Sequence, residues 1–198
     1  MGGGSLNTFN ALNNLFDGAS LLIETAVVPR RVGEMKGAAI FSKDRKRRYL
    51  LMRVWDEGLP VLAFGMLNPS DAGAEKNDMT VRKGIGFATR WGFGGIVAVN
   101  LIPVIATEPW DLPYWDGIYE DNDVFLIHAL NVGPMVVAWG TVPAAVYRKT
   151  ALSEHILRFR DLARRKEMFC IGLTHTGAPR HPSRAAYTAA MERFDWHG

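Results

Sequence analysis

The amino-acid sequence predicts an α/β protein: a three-layer fold with a central, largely parallel four-stranded sheet covered by helices on both faces. Four apolar runs predict buried strands, at residues 61–67, 96–99, 135–139 and 168–173. Stretches with helical spacing of apolar residues follow these runs. Because parallel strands need long crossover connections, this alternation favours helices on both sides of a single sheet.

The helices can be placed from their spacing and from their capping residues. A polar turn at 68–78 separates the first strand from the first helix, and Ser153 is in position to cap the third long helix. Two prolines and two tryptophans over residues 106–115 predict a long loop above the sheet. The predicted helices cover residues 81–91, 121–131, 154–165 and 183–194, and a short helix follows Gly140.

The N-terminal part of the chain, residues 1–37, is predicted to be a helical extension followed by a linker. Apolar residues at helical spacing over 6–25 predict two short helices, and the prolines and glycines of 27–37 predict the linker. Residues 38–198 then form a single α/β domain, and this is long enough to bury one core. Within it, the charged turn 43–48 between two apolar runs predicts a β-hairpin at the edge of the sheet.

Composition limits the class of protein. The single cysteine, Cys170, excludes an internal disulfide and a cysteine-ligated metal centre, and fits a reducing cytoplasm, where we expect the protein. No stretch approaches the roughly 18 uncharged apolar residues of a membrane span, so we expect no membrane partner. We expect neither a metal nor another cofactor.

Basic residues are clustered although the formal net charge is only +3. Such clusters suit a polyanionic partner, of which nucleic acid is the most direct example. Each cluster is also compatible with an ordinary solvated surface. The clusters lie at residues 30–31, 43–48, 158–166 and 180–184.

Polar motifs follow three of the four predicted strands. An Asn-Pro-Ser motif at residues 68–70 follows the first, Asn100 ends the second, and a His-Pro-Ser motif at residues 181–183 follows the fourth. In an open α/β sheet, ligands bind just outside the carboxyl ends of the strands. We therefore expect a site there, although Asn68 could equally serve only to cap the turn that follows it.

Short motifs over residues 38–182 are similar to those of a bacterial and phage domain family of unknown function. Besides the basic hairpin, they are Leu67-Asn68-Pro69-Ser70, Asn77-Asp78-x-Thr80-x-Arg82, Asn100-Leu101, Ala106-Thr107-Glu108-Pro109, Trp139-Gly140 and Gly177-x-Pro179-Arg180-His181-Pro182. This resemblance covers most of the chain but implies no particular activity.

The three strand-end motifs also resemble those of the uracil-DNA glycosylase superfamily. That superfamily has an Asp or Asn before a proline after its first core strand, an Asn ending its second strand and a His-Pro-Ser loop after its fourth. The resemblance implies a uracil-DNA glycosylase-like fold in which Asn68 orients the attacking water, Asn100 reads the base and His181 donates to a carbonyl oxygen of the leaving base. A donor of that kind contributes about 3–4 kcal/mol.

Two assignments within this site stay open. Residues 174–180 separate the His-Pro-Ser motif from its strand, so His175 competes with His181 for the histidine role. Asp78 and Arg82 are four residues apart, so Arg82 could reach a phosphate while Asp78 holds it, or the two could form an ordinary helix pair. The predicted catalytic residues are Asn68 and His181, and the predicted substrate-binding residues are Asn100, Ser70, Asp78, Thr80, Arg82, Thr107, Arg180 and Ser183.

The function we predict from these resemblances is binding of a nucleobase or nucleotide, most simply in DNA, with hydrolysis of the N-glycosidic bond of a flipped pyrimidine. Ser70 stands close to where uracil-specific relatives have a tyrosine, so a 5-substituted pyrimidine should be tolerated. Residues 184–186 include no bulky wedge to open a duplex, unless Tyr187 serves. The alternatives are a non-catalytic reader of modified or single-stranded nucleic acid and an enzyme acting on free nucleotides in phage base modification.

Overall fold

The computed structural model describes residues 21–29 and 33–196, and these form the mixed α/β architecture that the sequence predicts. The strands are β1 (Leu21–Pro29), β2 (Glu34–Ser42), β3 (Arg48–Val54), β4 (Val61–Met66), β5 (Gly95–Asn100), β6 (Met135–Val137), β7 (Met168–Cys170) and β8 (Glu192–Phe194). The helices are α1 (Met79–Arg90), α2 (Glu120–Val132), α3 (Ala144–Lys149) and α4 (Leu152–Leu162). None of these helices is long and apolar enough to cross a membrane.

The sheet is larger than predicted. Its eight described strands have the order β1-β2-β3-β5-β4-β6-β7-β8. The four neighbours β5-β4-β6-β7 pair in parallel, and every other pair is antiparallel. The prediction of a four-stranded, largely parallel sheet was too small because it counted uncharged runs. Such runs mark strands buried on both faces, whereas the added strands at either end of the sheet carry charged residues.

The predicted hairpin is present as β2 and β3, but it is not the edge of the sheet. β1 pairs antiparallel with β2 along all nine of its residues. The helix predicted over residues 21–25 is therefore wrong, and so is the linker predicted over 27–37 at residues 27–29 and 34–37. A long antiparallel partner outweighs a local helical spacing. Residues 6–20 of the predicted helices lie outside the described residues.

The C-terminal helix predicted over residues 183–194 is also wrong. The chain forms only a 3₁₀ turn at Pro182–Arg184 and then, after a loop, β8, which pairs antiparallel with β7. Tertiary packing explains the difference, because Phe194 and Trp196 pack their rings against Trp139 in the core. The other three long helices and the short helix after Gly140 are present.

Helices cover both faces of the sheet, so the core has two halves. On one face α1 buries Val81 and Phe87 against β4 and β5. On the other face α2 and α4 bury Phe125 and Phe159. The crossover from β4 to β5 thus uses one face, and the crossovers that lead to β6 and β7 use the other, as right-handed connections require.

A β-bulge in β3 decides which way its first side chain points. Leu50 is paired with Ile40 and Arg48 with Phe41, so Tyr49 is an extra residue without a register partner on β2. Tyr49 and Leu50 both pack in the half-core under α2. A bulge of this kind re-aims the neighbouring side chain. Arg48 therefore lies on the opposite face, the one that carries α1.

Candidate functional site

A cavity of about 540 Å³ lies at the carboxyl ends of β4 and β6. The chain leaves β4 through α1 and continues to β5, the neighbour on one side. It leaves β6 through α3 and α4 and continues to β7, the neighbour on the other side. Ligand crevices of open α/β sheets form at such a point. Most of the predicted site residues line the cavity, namely Asn68, Ser70, Asp78, Thr80, Thr107, Arg180, His181 and Ser183, whereas Asn100 and Arg82 do not.

Asn68 lies just after the carboxyl end of β4, and its amide group is fixed in one orientation. Its Nδ2 donates to the carbonyl oxygen of Ala106 (2.8 Å) and to that of Pro69 (3.2 Å). These contacts occupy both amide hydrogens, and no donor among the described residues reaches Oδ1. Asn68 can therefore accept a hydrogen bond from a water or ligand, but it cannot act as a strong base. A turn-capping asparagine would accept a backbone N–H through Oδ1, and neither of these two contacts is of that kind.

His181 reaches the cavity despite the residues that separate its motif from β7. Residues 174–180 leave the sheet as a small loop and return to it, because Leu173 and Pro179 form a β-bridge at the base of that loop. His175 lies exposed on the loop and does not line the cavity. Of the two candidate histidines, the geometry brings His181 together with Asn68.

Gly140 makes room for His181. The backbone of Gly140 has a φ of 75°, and an ideal Cβ at this position would lie 3.0 Å from the Cβ of His181. The Gly140 N–H also donates to the Pro179 carbonyl (2.8 Å). This bond links the segment after β6 to the loop that precedes His181. A larger residue here would both strain the backbone and displace His181.

The hydrogen bonds of His181 assign its tautomer. Its Nδ1 accepts from the backbone N–H of Ser183 (3.4 Å) and lies 2.8 Å from the Ser183 hydroxyl. Because a backbone N–H can only donate, Nδ1 carries the lone pair. Burial lowers the pKa of His181, with Asp78 raising it and Arg184 lowering it further. The ring is therefore neutral at pH 7 with its proton on Nε2, where it can serve as a donor.

Asp78 and Ser70 hold each other at the start of α1. Asp78 is the N-cap residue, and its Oδ1 accepts from the Val81 N–H (2.7 Å). Its other oxygen accepts from the Ser70 hydroxyl. The Ser70 hydroxyl is thus already used as a donor. A ligand on this side of the cavity has space, but the Ser70 oxygen can only accept a hydrogen bond from it.

Arg82 is not held by Asp78, although both interpretations of their spacing require that contact. Its side chain is exposed and donates to the backbone carbonyl of Asn77 (2.6 Å), and it forms no ion pair with Asp78 among the described contacts. The four-residue spacing misleads here because Asp78 is outside the helix, with an extended backbone at ψ −177°. Its carboxylate therefore turns back onto the helix terminus.

Asn77 belongs to a structural anchor centred on Arg53 of β3. The Arg53 Nε donates to Asn77 Oδ1 (2.8 Å), and its other nitrogens donate to the carbonyls of Met52 (2.8 Å), Gly73 (2.6 Å) and Lys76 (3.1 Å). With four of its five N–H donors used, this guanidinium holds the loop before α1 against the sheet. The Asn77–Arg82 motif thus serves the loop and the start of the helix, and only Asp78 and Thr80 of this motif reach the cavity.

Asn100 is buried behind the cavity wall. Its side chain is 1% exposed, and Met66, its register partner on β4, lines the cavity in its place. The Asn100 backbone carbonyl accepts from Asn122 Nδ2 (2.8 Å). Neither Oδ1 nor Nδ2 of Asn100 has a hydrogen-bond partner within the described part of the chain. A buried amide with both groups unsatisfied is unusual and needs a partner or an explanation.

Arg48 is a cavity residue that was not among the predicted site residues. It lines the cavity at 2% exposure, whereas its basic run at the hairpin turn was interpreted either as a surface for a polyanion or as an ordinary solvated surface. A signal was available, since Arg48 directly precedes an apolar strand and is the last of its basic run. Its orientation could not be predicted, because it depends on the bulge at Tyr49.

The rim of the cavity is basic and carries one exposed indole ring. Arg180 and Arg184 are exposed, and Arg180 donates to the Leu173 carbonyl (3.0 Å). Trp110, at 55% exposure, lines the cavity from the predicted loop, which is fastened to α3 by a bond from Lys149 Nζ to the Trp110 carbonyl (2.9 Å). An exposed ring beside cationic side chains can stack on a base.

Three other large aromatic side chains are packed away from the cavity. Trp91 stacks on Phe87, and Trp115 packs edge-on against His155. Tyr187 lies on α1 beside Phe87, with Lys83 and Arg90 over its ring. Tyr187 is therefore fixed on a helix and does not line the cavity.

Comparisons with known proteins place the chain in a family. Residues 48–183 match the family model described as "Protein of unknown function (DUF1643)". No curated protein and no solved structure matches the chain significantly. Within the described residues, no group of three or more His, Cys, Asp or Glu side chains is placed to hold a metal ion. Since the matched span covers more than half of the sequence and includes every cavity motif from Asn68 to Ser183, the chain belongs to this DUF1643 family.

Proposed function

We propose that the cavity binds a pyrimidine nucleotide, most simply within DNA, and hydrolyses its N-glycosidic bond. The observation that carries the proposal is the pair formed by His181 and Asn68 on one cavity. His181 is a neutral donor through Nε2, and Asn68 offers a fixed amide oxygen. A cavity of about 540 Å³ is large enough for a nucleotide, since ligand sites commonly measure about 300–1,000 Å³.

Each side chain then has a chemical task. As the C1′–N bond breaks, its electron pair passes to the base, and the Nε2–H of His181 donates to the carbonyl oxygen on which the negative charge develops. A water held by Asn68 Oδ1 adds its oxygen to C1′ of the cation-like sugar. The proton lost by this water ends on the departing base through solvent, so the products are a sugar hemiacetal and a neutral base.

The position of the motifs supports a likeness to the uracil-DNA glycosylase superfamily. The three strand-end motifs follow β4, β5 and β7, which belong to the parallel part of the sheet. Two of these motifs supply cavity residues. The third, at Asn100, is buried behind the residues that line the cavity. In this proposal Asn100 supports the wall at Met66 rather than reading the base directly.

The rim favours a single-stranded polymer as the substrate. Arg180 and Arg184 supply cationic contacts, and Trp110 supplies a surface for stacking. Tyr187, the wedge candidate after the His-Pro-Ser motif, is held against α1 and is not free to open a duplex. Binding should weaken steeply with salt, and replacing both arginines with alanine should flatten that dependence.

Asn68 itself favours a second candidate function, a non-catalytic reader of nucleic acid. An amide in place of a carboxylate cannot accept a proton from water, which slows hydrolysis. The same amide orientation would suit recognition of an N–H or hydroxyl group of a bound nucleotide. A reader of this kind would use the same cavity and rim without bond cleavage.

Base release from matched single-stranded oligonucleotides tests the proposal. The substrates contain uracil, thymine or 5-hydroxymethyluracil, and we expect the 5-substituted bases to be released at least as well as uracil because Ser70 leaves space beside the base. Asn68→Ala should abolish release while keeping most of the binding. Binding without release from any substrate would favour the reader, and hydrolysis of free nucleotides alone would favour an enzyme on monomers.

A further inference from the structure

Arg48 is a buried cation without a carboxylate partner. It is 2% exposed and lines the cavity from the first residue of β3. No ion pair among the described residues includes it. Burying an unpaired charge costs free energy, so a buried cation in a protein is normally paired with an anionic group or binds a ligand.

Only one part of its guanidinium is used by the protein. Nη1 donates to the Ala72 carbonyl (2.6 Å), while Nε has no acceptor among the described residues and no bond is formed by Nη2. Nε and Nη2 share one edge of the planar group. Two parallel N–H donors on such an edge match two oxygens of a phosphate or carboxylate.

The charges around Arg48 leave room for an added anion. Asp78 and Asp71 favour its charged form from a distance, but the Asp78 carboxylate is occupied by Ser70 and Val81, and Asp71 pairs with Lys76 (2.6 Å). Glu108 is the other acidic residue on the cavity wall, and it is exposed at the rim. Arg180 and Arg184 balance these acidic groups.

We infer that Arg48 forms an oxyanion subsite inside the cavity that binds the phosphate group of the ligand through its Nε and Nη2 edge. The inference depends on the proposed function in one respect, that the phosphate belongs to a nucleotide. Binding of the phosphate by Arg48 does not require that a glycosidic bond is broken. It implies that the cavity recognises a phosphorylated nucleotide unit and discriminates against the free base and the nucleoside.

The first experiment uses the wild-type protein and inorganic phosphate. Side-chain NMR resolves the arginine Nε–H signals, and phosphate is titrated against chloride at equal ionic strength. We expect a saturable shift of the Arg48 signal. Arg53 is the internal control, because its Nε already donates to Asn77 and its signal should stay in place. An Arg48 signal that is insensitive to phosphate would overturn the inference without any variant having to fold.

The second experiment identifies the source of the phosphate. Deoxyuridine 5′-monophosphate should bind about tenfold tighter than deoxyuridine, as a charge-assisted hydrogen-bond pair predicts. Arg48→Met should remove most of this difference, whereas the control Arg82→Met, at an exposed arginine outside the cavity, should keep it. An equal preference in wild type and Arg48→Met would overturn the subsite.

The two proposals fail in distinguishable ways. If inorganic phosphate shifts the Arg48 signal but the nucleotide binds no better than phosphate itself, the subsite stands and the nucleotide function fails. If base release occurs at the same rate in wild type and Arg48→Met with unchanged binding of the oligonucleotide, the glycosylase function stands and the subsite fails.

Discussion

Arg48 and Arg53 lie on the same strand and the same sheet face, and they are equally buried, yet their surroundings differ. Arg53 uses its guanidinium in four hydrogen bonds, to one side chain and three backbone carbonyls. Arg48 forms one. Burial lowers the pKa of both to about 10, so both remain charged at neutral pH. The difference between them is therefore in hydrogen-bond partners and not in charge state.

This difference distinguishes a structural from a functional buried cation. Arg53 replaces the water around its charge with carbonyl dipoles and so fixes the loop before α1. Arg48 lines a cavity and has one edge of its donor group unused. The two residues share their type, their burial and their face of the sheet, but they differ in the number of satisfied donors and in whether they line the cavity.

Removal of Arg53 should have the largest effect. Arg53→Met leaves the Asn77 side chain and the three carbonyls without their donor, and at about 1 kcal/mol for each bond we expect a loss of about 4 kcal/mol in the free energy of unfolding. Urea denaturation followed by circular dichroism measures it. A loss below about 1 kcal/mol would show that Arg53 is not an anchor.

The histidines offer the same contrast between a cavity group and a surface group. His181→Ala should slow base release by about 10²–10³-fold, because it removes the donor to the leaving base, with oligonucleotide binding largely kept. His175→Ala is the matched control, since His175 lies exposed on the neighbouring loop. Equal rates for the two variants would remove His181 from the proposed mechanism.

A third buried group, His155, should make stability depend on pH. Burial lowers its pKa to about 4, with Asp116 acting in the opposite direction, so the folded state binds the proton less well than the unfolded state does. Neutral His155 therefore costs the folded state nothing above about pH 6.5, and the free energy of unfolding falls by about 3 kcal/mol as the pH falls from 6.5 toward 4.

Chemical denaturation between pH 4 and pH 7 measures this dependence. His155→Phe keeps an aromatic ring beside Trp115 and Tyr119 and cannot be protonated. Its unfolding free energy should therefore fall less steeply over this range than that of the wild type. Parallel pH profiles would assign the loss to other groups.

Removal of Arg48 should have the smallest effect on stability. Arg48→Met breaks a single hydrogen bond and relieves the cost of an unpaired buried charge, so we expect a change of at most about 1 kcal/mol. The same urea titration as for Arg53→Met provides the comparison. A loss as large as that of Arg53→Met would mean that the two arginines are equivalent anchors.

Some of the site could be predicted from sequence because it depends on chain order. Asn68 and His181 follow strands of a parallel sheet, and the carboxyl ends of such strands meet at one edge. Arg48, Asn100 and Arg82 were assigned less well because their roles depend on side-chain direction. A bulge turns Arg48 toward the cavity, strand register places Met66 in front of Asn100, and a helix cap draws the Asp78 carboxylate away from Arg82.

The strand count was incomplete for a related physical reason. Uncharged runs identify strands that are covered on both faces, so β4, β5, β6 and β7 could be predicted as strands. β1 and β8 lie at its two edges, where charged residues face solvent and local spacing resembles that of a helix. Pairing with β2 and β7, and not a local preference, determines their conformation.

The bridge between Leu173 and Pro179 closes the base of the loop 174–178. The position of His181 therefore does not depend on the length of that loop. Its tip, at His175, Thr176 and Gly177, is exposed, and Gly177 has a φ of 78° that suits a tight turn. Exposed loop tips with closed stems are the places where proteins accept insertions. A fluorescent reporter peptide or an affinity tag inserted after Thr176 would therefore sit beside the cavity without moving the histidine, giving a direct optical handle on ligand entry.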